Sequence, residues 1–223
     1  MIKLVHARST EYGDSGRNGK AKPGDQTGNE VAITDWYSKP WGTMLRFPDK
    51  NAADRVMKIA VKLANSNLVG YDQLGRNTLY QALKVYNFDV DRYIASGVKT
   101  ETDCSAFVYA CWCCVLSELR SDGNAPTTSN MVKFYKTHGF TSYNNGRLTD
   151  PEYLLNGDIV VKEGSHTAMV YTFYDPRETL NPKVDCALDV LARDVIAGNW
   201  GKGETRKENL YQAVQNYVND MLK

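Results

Sequence analysis

The chain has 223 residues, of which 42% are hydrophobic and 24% charged, and its formal net charge is +1. This composition is typical of a globular protein that buries a core of its own, and it argues against a disordered chain. The balanced charge, without long runs of one sign, argues against a protein that binds the phosphate backbone of nucleic acid. At this length we expect a medium-sized domain with a small second one, or a single large domain.

The first residues turn polar after Val5, so they contain no apolar segment of the kind that a signal peptide needs. A run of ~18 apolar residues, the length of a membrane span, is also missing from the sequence. We therefore expect a protein that is made in the cytoplasm and has no membrane span. The five cysteines are an odd number, and in a reducing compartment they are expected to be free thiols.

The first half of the chain predicts one loop-like segment and three helices. Residues 8–30 are rich in glycine and polar residues and predict an irregular segment, which ends at the strand-like run NEVAITDWY. Residues 51–65 have apolar side chains at helical spacing and predict an amphipathic helix with an Asn as its N-cap. A weaker helix is predicted over residues 77–88. Residues 104–120 form a third, apolar nearly all round, which we place at the centre of the domain.

The second half predicts a hairpin, a linker and a helical module. Residues 131–140 predict a helical or mixed segment, and two β-rich runs then flank a turn at residues 163–165, which predicts a β-hairpin. Residues 176–183 contain two prolines and charges of both signs, as expected for a linker. Residues 184–223 show two amphipathic helical patterns around a glycine-rich turn and predict a small all-α helical bundle.

Four of the five cysteines lie in the stretch ETDCSAFVYACWCC, but they are not equivalent. Cys104 follows polar residues that favour a helix start, where N–H groups and the helix dipole stabilise a thiolate. Cys111, Cys113 and Cys114 lie inside the helix, where a thiol packs as a small hydrophobic group. Their spacing on one helix does not close a tetrahedral metal site. Cys104 is therefore the candidate nucleophile.

A thiol nucleophile needs a base, and the chain has three histidines. His166 begins a predicted strand just after the hairpin turn, where its side chain can be held rigidly and still face a cleft. His138 lies near a loop, and His6 lies near the N-terminus. Position alone therefore favours His166 as the base.

The segment TDCSAFVYACW, followed after a loop by LLNGDIVVKEGSHTAMVY, resembles the papain-like cell-wall amidohydrolases of the NlpC and CHAP type. In those families the cysteine of a DCS motif begins a helix, and a GD turn leads into two strands, the second of which begins near the catalytic histidine. The resemblance implies an α+β fold in which the nucleophile helix packs on an antiparallel sheet. It also implies a catalytic domain over residues 1–175, with Cys104 as nucleophile and His166 as base.

The resemblance also implies residues that support the catalytic pair. Tyr71 lies where NlpC-type enzymes have a tyrosine that holds the oxyanion or positions the substrate; the alternative is a half-buried structural tyrosine. The backbone N–H of Cys104 is the other expected oxyanion donor. Many family members have a third polar residue, on the strand after the histidine, that fixes the imidazole tautomer. The first candidate here is Asp175, and Asp72 and Asp25 are the alternatives.

Residues 191–222, from LARDVIAGNW onwards, resemble the cell-wall-binding repeat of the CW-seven type. The resemblance implies that Trp200 offers an aromatic face to a sugar and that Arg206 binds a carboxylate or an amide. Gly201 and Gly203 belong to the same candidate wall-binding group. The alternative is that Trp200 caps a small core and that Arg206 is a solvated helix residue.

The two resemblances together imply a phage endolysin that hydrolyses an amide bond of bacterial peptidoglycan and lyses the host cell. Both an N-acetylmuramoyl-L-alanine amidase and a stem-peptide or cross-bridge endopeptidase fit this chemistry. Family membership implies a lysin held in the host cytoplasm until another protein forms a membrane pore to the wall. No cofactor is expected, although a structural calcium ion of the kind that some CHAP enzymes bind stays open.

Two other hypotheses have a different basis. One is a non-catalytic wall-binding protein with a degenerate papain-like domain. The other is a zinc amidase, which needs three protein ligands; three scattered histidines without a helical H-x-x-x-H pattern argue against it. The bond that is cleaved, the host bacterium and the oligomeric state do not follow from the sequence.

Overall fold

The computed structural model describes residues 2–37, 39, 41–120, 124–144, 153–172 and 202–221, with side chains up to residue 212 in the last range. The chain forms two compact units, Met1–Asp175 and Pro176–Lys223. The predicted linker at residues 176–183 and the first helical pattern of the C-terminal module lie outside the described residues.

The first unit is built on a six-stranded antiparallel sheet. Its strands are β1 Ile2–Ala7, β2 Val31–Asp35, β3 Thr43–Arg46, β6 Thr141–Tyr143, β7 Ile159–Lys162 and β8 His166–Thr172. They lie in the order β2, β1, β8, β7, β3, β6. A separate parallel pair joins β4 Val69–Tyr71 to β5 Thr100–Thr102. The predicted hairpin is confirmed as β7 and β8.

The described helices of this unit follow the predicted order. They are α1 Lys50–Asn65, α2 Thr78–Val85, α3 Val90–Ser96, α4 Cys104–Val115 and α5 Met131–Thr137, with a 3-10 turn at Ser117–Leu119. α1 begins one residue earlier than predicted, because the side chain of Asp49 rather than an Asn accepts the N–H bonds of its first turn. The unit is therefore mixed α and β around an antiparallel sheet, as predicted.

Helix α4 forms the centre of the core. Its residues from Cys104 to Cys113 are all buried, and it packs on β8, α1 and α2. Burial of a large apolar side chain such as Trp112 or Phe107 contributes ~1.5–3 kcal/mol. Cys111 and Cys113 are free thiols within this core, which confirms their predicted packing role.

Six described elements were not predicted: strands β1, β3, β4, β5 and β6, and helix α3. Strand β1 lies inside the sheet between β2 and β8, so its stability depends on pairing with strands far away in sequence. Helix α3 is short, and the carboxylate of the preceding residue, Asp89, caps its first turn.

The second unit contains α6 Gly203–Met221, a helix of 19 residues that corresponds to the second predicted helical pattern. The side chains described in it, up to Gln212, are mostly exposed. In the described part of the whole chain, no helix is both long and apolar enough to cross a membrane.

The GD turn that leads into β7 requires its glycine. Gly157 has a φ of +85°, and a Cβ there would lie 2.7 Å from Cβ and 3.0 Å from Cα of Ala53 in α1. The next residue, Asp158, is buried and accepts two bonds from the Arg46 guanidinium, at 2.8 and 2.6 Å, and one from the N–H of Leu155 at 2.7 Å. The turn thus joins the sheet closely to α1.

Replacing Gly157 by Ala should lower the free energy of unfolding more than replacing Gly97 by Ala. Both glycines have a positive φ, so alanine costs ~1–2 kcal/mol at either position. A Cβ at Gly97 meets no other atom within 4 Å, whereas overpacking against Ala53 should add ~1–3 kcal/mol at Gly157. Urea unfolding followed by circular dichroism measures both losses, and equal losses would contradict the steric argument.

Candidate active site

Cys104 is the first residue of α4, and the preceding residue caps the helix. The carboxylate of Asp103 accepts the N–H of Ala106 at 2.7 Å, while its own backbone is extended. This is the N-cap arrangement that stops a helix from starting earlier. The predicted position of Cys104 at a helix start is therefore confirmed.

Arg76 anchors this helix start to the neighbouring loop. Its guanidinium binds Asp103, with a shortest contact of 2.6 Å, and donates to Oγ of Ser105 at 3.0 Å. It also donates to the carbonyl oxygens of Ala125 and Pro126, both at 2.9 Å. Because the Arg76 and Asp103 side chains are only 18% and 12% exposed, this pair is shielded from water and is stronger than a surface ion pair.

A cleft of about 320 Å³ lies beside Cys104. Its described lining residues are His6, Arg8, Ser9, Tyr37, Lys39, Tyr71, Ser165 and His166. A charge on Cys104 would act on Tyr37, Lys39 and Tyr71, so the sulfur lies close to the cleft although Cys104 itself is only 7% exposed. The structure thus brings Cys104, Tyr71 and His166 to one place, as predicted.

The imidazole of His166 is bound by a second imidazole, which the sequence analysis did not assign to the site. Nε2 of His166 lies 2.8 Å from Nδ1 of His6, and Nε2 of His6 lies 3.1 Å from Oγ1 of Thr34. The antiparallel pairing of β1 with β8 places His6 diagonally across from His166 on the same face of the sheet. A continuous chain of contacts therefore runs from β2 through β1 to β8.

This chain of contacts is compatible with a form of His166 that can act as a base. Each contact needs one donor and one acceptor, and two arrangements satisfy both, since the Thr34 hydroxyl can donate or accept. In one, Thr34 donates to His6, and His6 donates to Nε2 of His166. In the other, Nε2 of His166 donates to His6, and Nε2 of His6 donates to Thr34. In that tautomer Nδ1 of His166 carries no proton. Among the described residues no hydrogen bond engages this nitrogen, so it is available to accept a proton.

Aromatic rings enclose the two imidazoles. The Trp41 ring stacks on His166 at a centroid distance of 6.1 Å, and the Tyr37 ring lies 5.9 Å from His6. His6 and His166 are only 1% and 8% exposed. The contact between the imidazoles is therefore shielded from water, which would compete for it.

Burial keeps both imidazoles neutral at pH 7. It lowers the pKa of His166 to about 4, and the nearby charges of Lys39 and Arg8 act in the same direction. The pKa of His6 falls to about 3, mainly through burial and then through His166. Since a base must be unprotonated to act, His166 is ready to accept a proton over the whole neutral range.

Cys104 and His166 are close but are not hydrogen-bonded to each other in the described structure. The Cys104 sulfur faces the backbone N–H groups of Ser105 and of Thr167, the residue that follows His166. Hydrogen bonds between a catalytic nucleophile and its base commonly tighten only when substrate binds. The catalytic pairing of Cys104 with His166 stays a prediction.

The predicted stabilised thiolate is contradicted by the surroundings of Cys104. The pKa of its thiol is raised to about 12, first by burial and then by the charge of the Asp103 carboxylate. The N–H groups at the sulfur and the Arg76 guanidinium lower the pKa by less. Because the same carboxylate that caps the helix also repels a thiolate, the resting group is a neutral thiol.

Tyr71 ends β4 and keeps its hydroxyl proton. Its backbone N–H donates to the buried carboxylate of Glu30 at 2.9 Å, and its hydroxyl oxygen accepts a bond from Gln73 at 3.3 Å. Burial, followed by the proximity of Cys104, raises its pKa to about 12. The hydroxyl is therefore a donor at the cleft, and its oxyanion role stays a prediction.

The candidates for a third catalytic residue have different positions. Asp25 accepts N–H bonds from its own loop, among them that of Gly28 at 2.6 Å, and Asp72 accepts the N–H of Leu74 at 2.8 Å. Neither lines the cleft as described. Asp175 lies outside the described residues, so its role stays a prediction.

Among the described residues, the side chain within hydrogen-bond distance of the His166 imidazole is that of His6. The signal for it in the sequence was the short run IKLVHA, whose β-branched and apolar residues favour a strand. That run shows which residues extend, but it does not show which distant strand pairs with them.

A buried pair of carboxyl groups lies just before the nucleophile. Burial, the charge of Asp72 and a side-chain hydrogen bond with Asp72 raise the pKa of Glu101 to about 7. In the ranges that the structure describes, no group of three or more His, Cys, Asp or Glu side chains is arranged to hold a metal ion.

Comparison with protein families matches both units of the chain. Residues 4–174 match the endolysin-like domain, and residues 189–222 match the CW_7 repeat. The chain belongs to the endolysin-like domain family. The two matches confirm the predicted combination of an endolysin with a cell-wall-binding repeat, and they support a lytic cell-wall enzyme. No curated protein and no solved structure matches the chain.

The wall-binding candidates lie within the CW_7 match. Gly203 begins α6 with a φ of +59°, and Arg206 is exposed in the first turn of that helix. Trp200 and Gly201 lie outside the described residues. The binding roles of all four residues stay predictions.

In this endolysin-like domain, alkylation of Cys104 by iodoacetamide should keep accelerating from about pH 7 to about pH 9, because a thiol with a raised pKa is mostly protonated there. A stabilised thiolate would instead react at a constant rate over that range. Mass spectrometric peptide mapping after timed labelling reads Cys104 separately, and the Cys104→Ser variant supplies the background. A rate that does not change with pH would contradict the neutral resting thiol.

Proposed function

We propose that the endolysin-like domain is a papain-like cysteine hydrolase of the NlpC or CHAP type that cleaves an amide bond of bacterial peptidoglycan. The observation that carries this proposal is the position of Cys104, at a capped helix start beside a cleft that holds a buried pair of neutral imidazoles. A thiol, a base and a residue that orients the base are the parts that nucleophilic catalysis needs. A domain that only binds the wall has no use for this combination.

The first step follows from the protonation states. Because the Cys104 thiol is neutral, its proton passes to Nδ1 of His166 as the sulfur attacks the scissile carbonyl carbon. The carbonyl oxygen becomes an oxyanion. Its donors are the backbone N–H of Cys104, which belongs to the first turn of α4 and has no partner within the helix, and the hydroxyl of Tyr71.

The later steps return the enzyme to its starting state. His166 donates the proton to the departing amine, the C–N bond breaks and a thioester to Cys104 forms. Water then attacks the thioester while His166 accepts a proton from it. The thiol leaves with that proton, and the products are a free amine and a free carboxylate.

His6 acts on this sequence through His166. As an acceptor at Nδ1, it keeps Nε2 of His166 protonated and stabilises the imidazolium that forms during the attack. The stacked ring of Trp41 keeps water away from this contact. His6 is therefore a positioning residue.

The CW_7 repeat supports the catalytic domain by holding it at its polymeric substrate, which raises the effective concentration of cleavable bonds. We place the action of the protein in the lysis of a phage host, after a separate pore protein opens the membrane. Both amidase and endopeptidase activities use the chemistry above. New amine and carboxyl ends in the digested wall, identified by mass spectrometry, distinguish the two.

Replacing Cys104 or His166 by Ala should abolish the loss of turbidity of a cell-wall suspension and the appearance of new amine ends. Cys114→Ala is the matched control, because Cys114 is only partly buried and lies on the same helix. It should retain lysis. Thermal unfolding of all three variants checks that the fold persists, and lysis by a folded Cys104→Ala variant would favour the non-catalytic wall-binding hypothesis.

Replacing His6 by Ala should lower kcat by ~10²- to 10⁴-fold with little change in KM, because the wrong tautomer of His166 cannot accept the thiol proton. His6→Asn should restore part of the activity, since an Asn side chain can place an acceptor near the position of Nδ1. Thr34→Val, which removes only the outer contact of the chain, should have a smaller effect. A loss confined to KM, or equal losses in the Ala and Asn variants, would show that His6 does not position the base.

A further inference from the structure

The cleft beside Cys104 carries a positive charge without a counter-charge. Of its described lining residues, Arg8 and Lys39 are cations, none is a carboxylate, and the two imidazoles are neutral. Lys162, at the end of β7, is close enough to act on the charge of Lys39. The wall of the cleft is therefore an anion-attracting surface.

Both cations lie close to the reacting groups. Their charges act on His166 and on His6, and the charge of Lys39 also interacts with that of Cys104. Arg8 directly follows β1, and Nζ of Lys39 lies 5.9 Å from the centroid of the Trp41 ring that stacks on His166. An anion bound between them would lie beside the scissile bond.

Neither cation has an ion-pair partner in the described part of the chain. The arginines that support the fold differ in this respect, because Arg46 binds Asp158 and Arg76 binds Asp103. Lys39 is also partly desolvated, since burial lowers its pKa. Desolvating a cation without a partner costs free energy, and an anionic ligand that enters the cleft recovers it.

We propose that the cleft recognises a free carboxylate of the peptide substrate next to the scissile amide, with Arg8 and Lys39 as its binding residues. This inference rests on the proposed function and narrows its substrate class to wall peptides whose carboxylate at that position is not amidated. Peptidoglycan stem peptides carry carboxylates on the glutamyl residue, on some diamino acids and at the C-terminus. The two cations of the cleft fit each of these carboxylates.

The test compares one soluble stem peptide with versions in which a single carboxylate is converted to the carboxamide, one position at a time. For the wild-type protein, amidation at one position should lower kcat/KM by ~10- to 100-fold, as expected for loss of a charged hydrogen bond. The position that responds identifies the recognised carboxylate. If no amidation lowers kcat/KM by more than about twofold, the inference is wrong.

Charge-removing variants connect this preference to the two cations. Arg8→Gln and Lys39→Gln should each weaken cleavage of the acid peptide much more than cleavage of the corresponding amide peptide. Arg55→Gln and Lys58→Gln are the matched controls, because both residues are exposed on α1 and neither lines the cleft as described. Equal losses on the acid and amide peptides would contradict recognition by these residues.

Binding separates this inference from the proposed reaction. Calorimetry with the Cys104→Ser variant should show that the acid peptide binds more tightly than its amide, without turnover. Tighter binding of the acid peptide to a wild-type protein that cleaves no peptide or wall would overturn the hydrolase proposal and leave the recognition intact. Hydrolysis by the wild-type protein without any preference between acid and amide would overturn the recognition alone.

Discussion

The candidate active site depends most directly on the interactions of the Asp103 carboxylate. It ends the extended backbone of β5, caps α4 and binds the Arg76 guanidinium, so a single side chain sets both the position and the direction of the nucleophile helix. The same negative charge lies beside Cys104 and opposes a thiolate. The candidate site therefore combines a rigidly placed Cys104 with a thiol that is less readily ionised, and the proposed attack depends on proton transfer to His166.

His166, the candidate base, is positioned in a different way from Cys104. The imidazole of His166 is held across the sheet by a neutral imidazole on β1, which in turn contacts Thr34 on β2. A neutral acceptor orients His166 without adding a charge to a buried site, where an unpaired carboxylate would be costly. The positive potential of the cleft then comes from Arg8 and Lys39. A carboxylate at the position of His6 would partly neutralise that potential.

The parts of the site that were predictable from the sequence are those fixed by local interactions. The start of α4 follows from a capping residue before an apolar run, and the position of His166 follows from a turn between two β-rich segments. His6 was not assigned, because its role depends on the pairing of β1 with β8. The predicted thiolate of Cys104 was wrong for a similar reason. The pKa of the thiol depends on burial by other elements of the fold, which the position of Cys104 at a helix start does not reveal. Asp175 and the linker stay predictions.

The order of the strands in the sheet determines when the candidate site forms during folding. β8 is the last described strand of the sheet in chain order, yet it inserts between β1 and β7 rather than at an edge. The two imidazoles come from positions 160 residues apart, so their contact is among the most non-local in the domain. Non-local pairings form late during folding, and a chain still being synthesised lacks the central strand altogether. On the proposed function, hydrolytic competence should therefore arise only when the whole domain has folded.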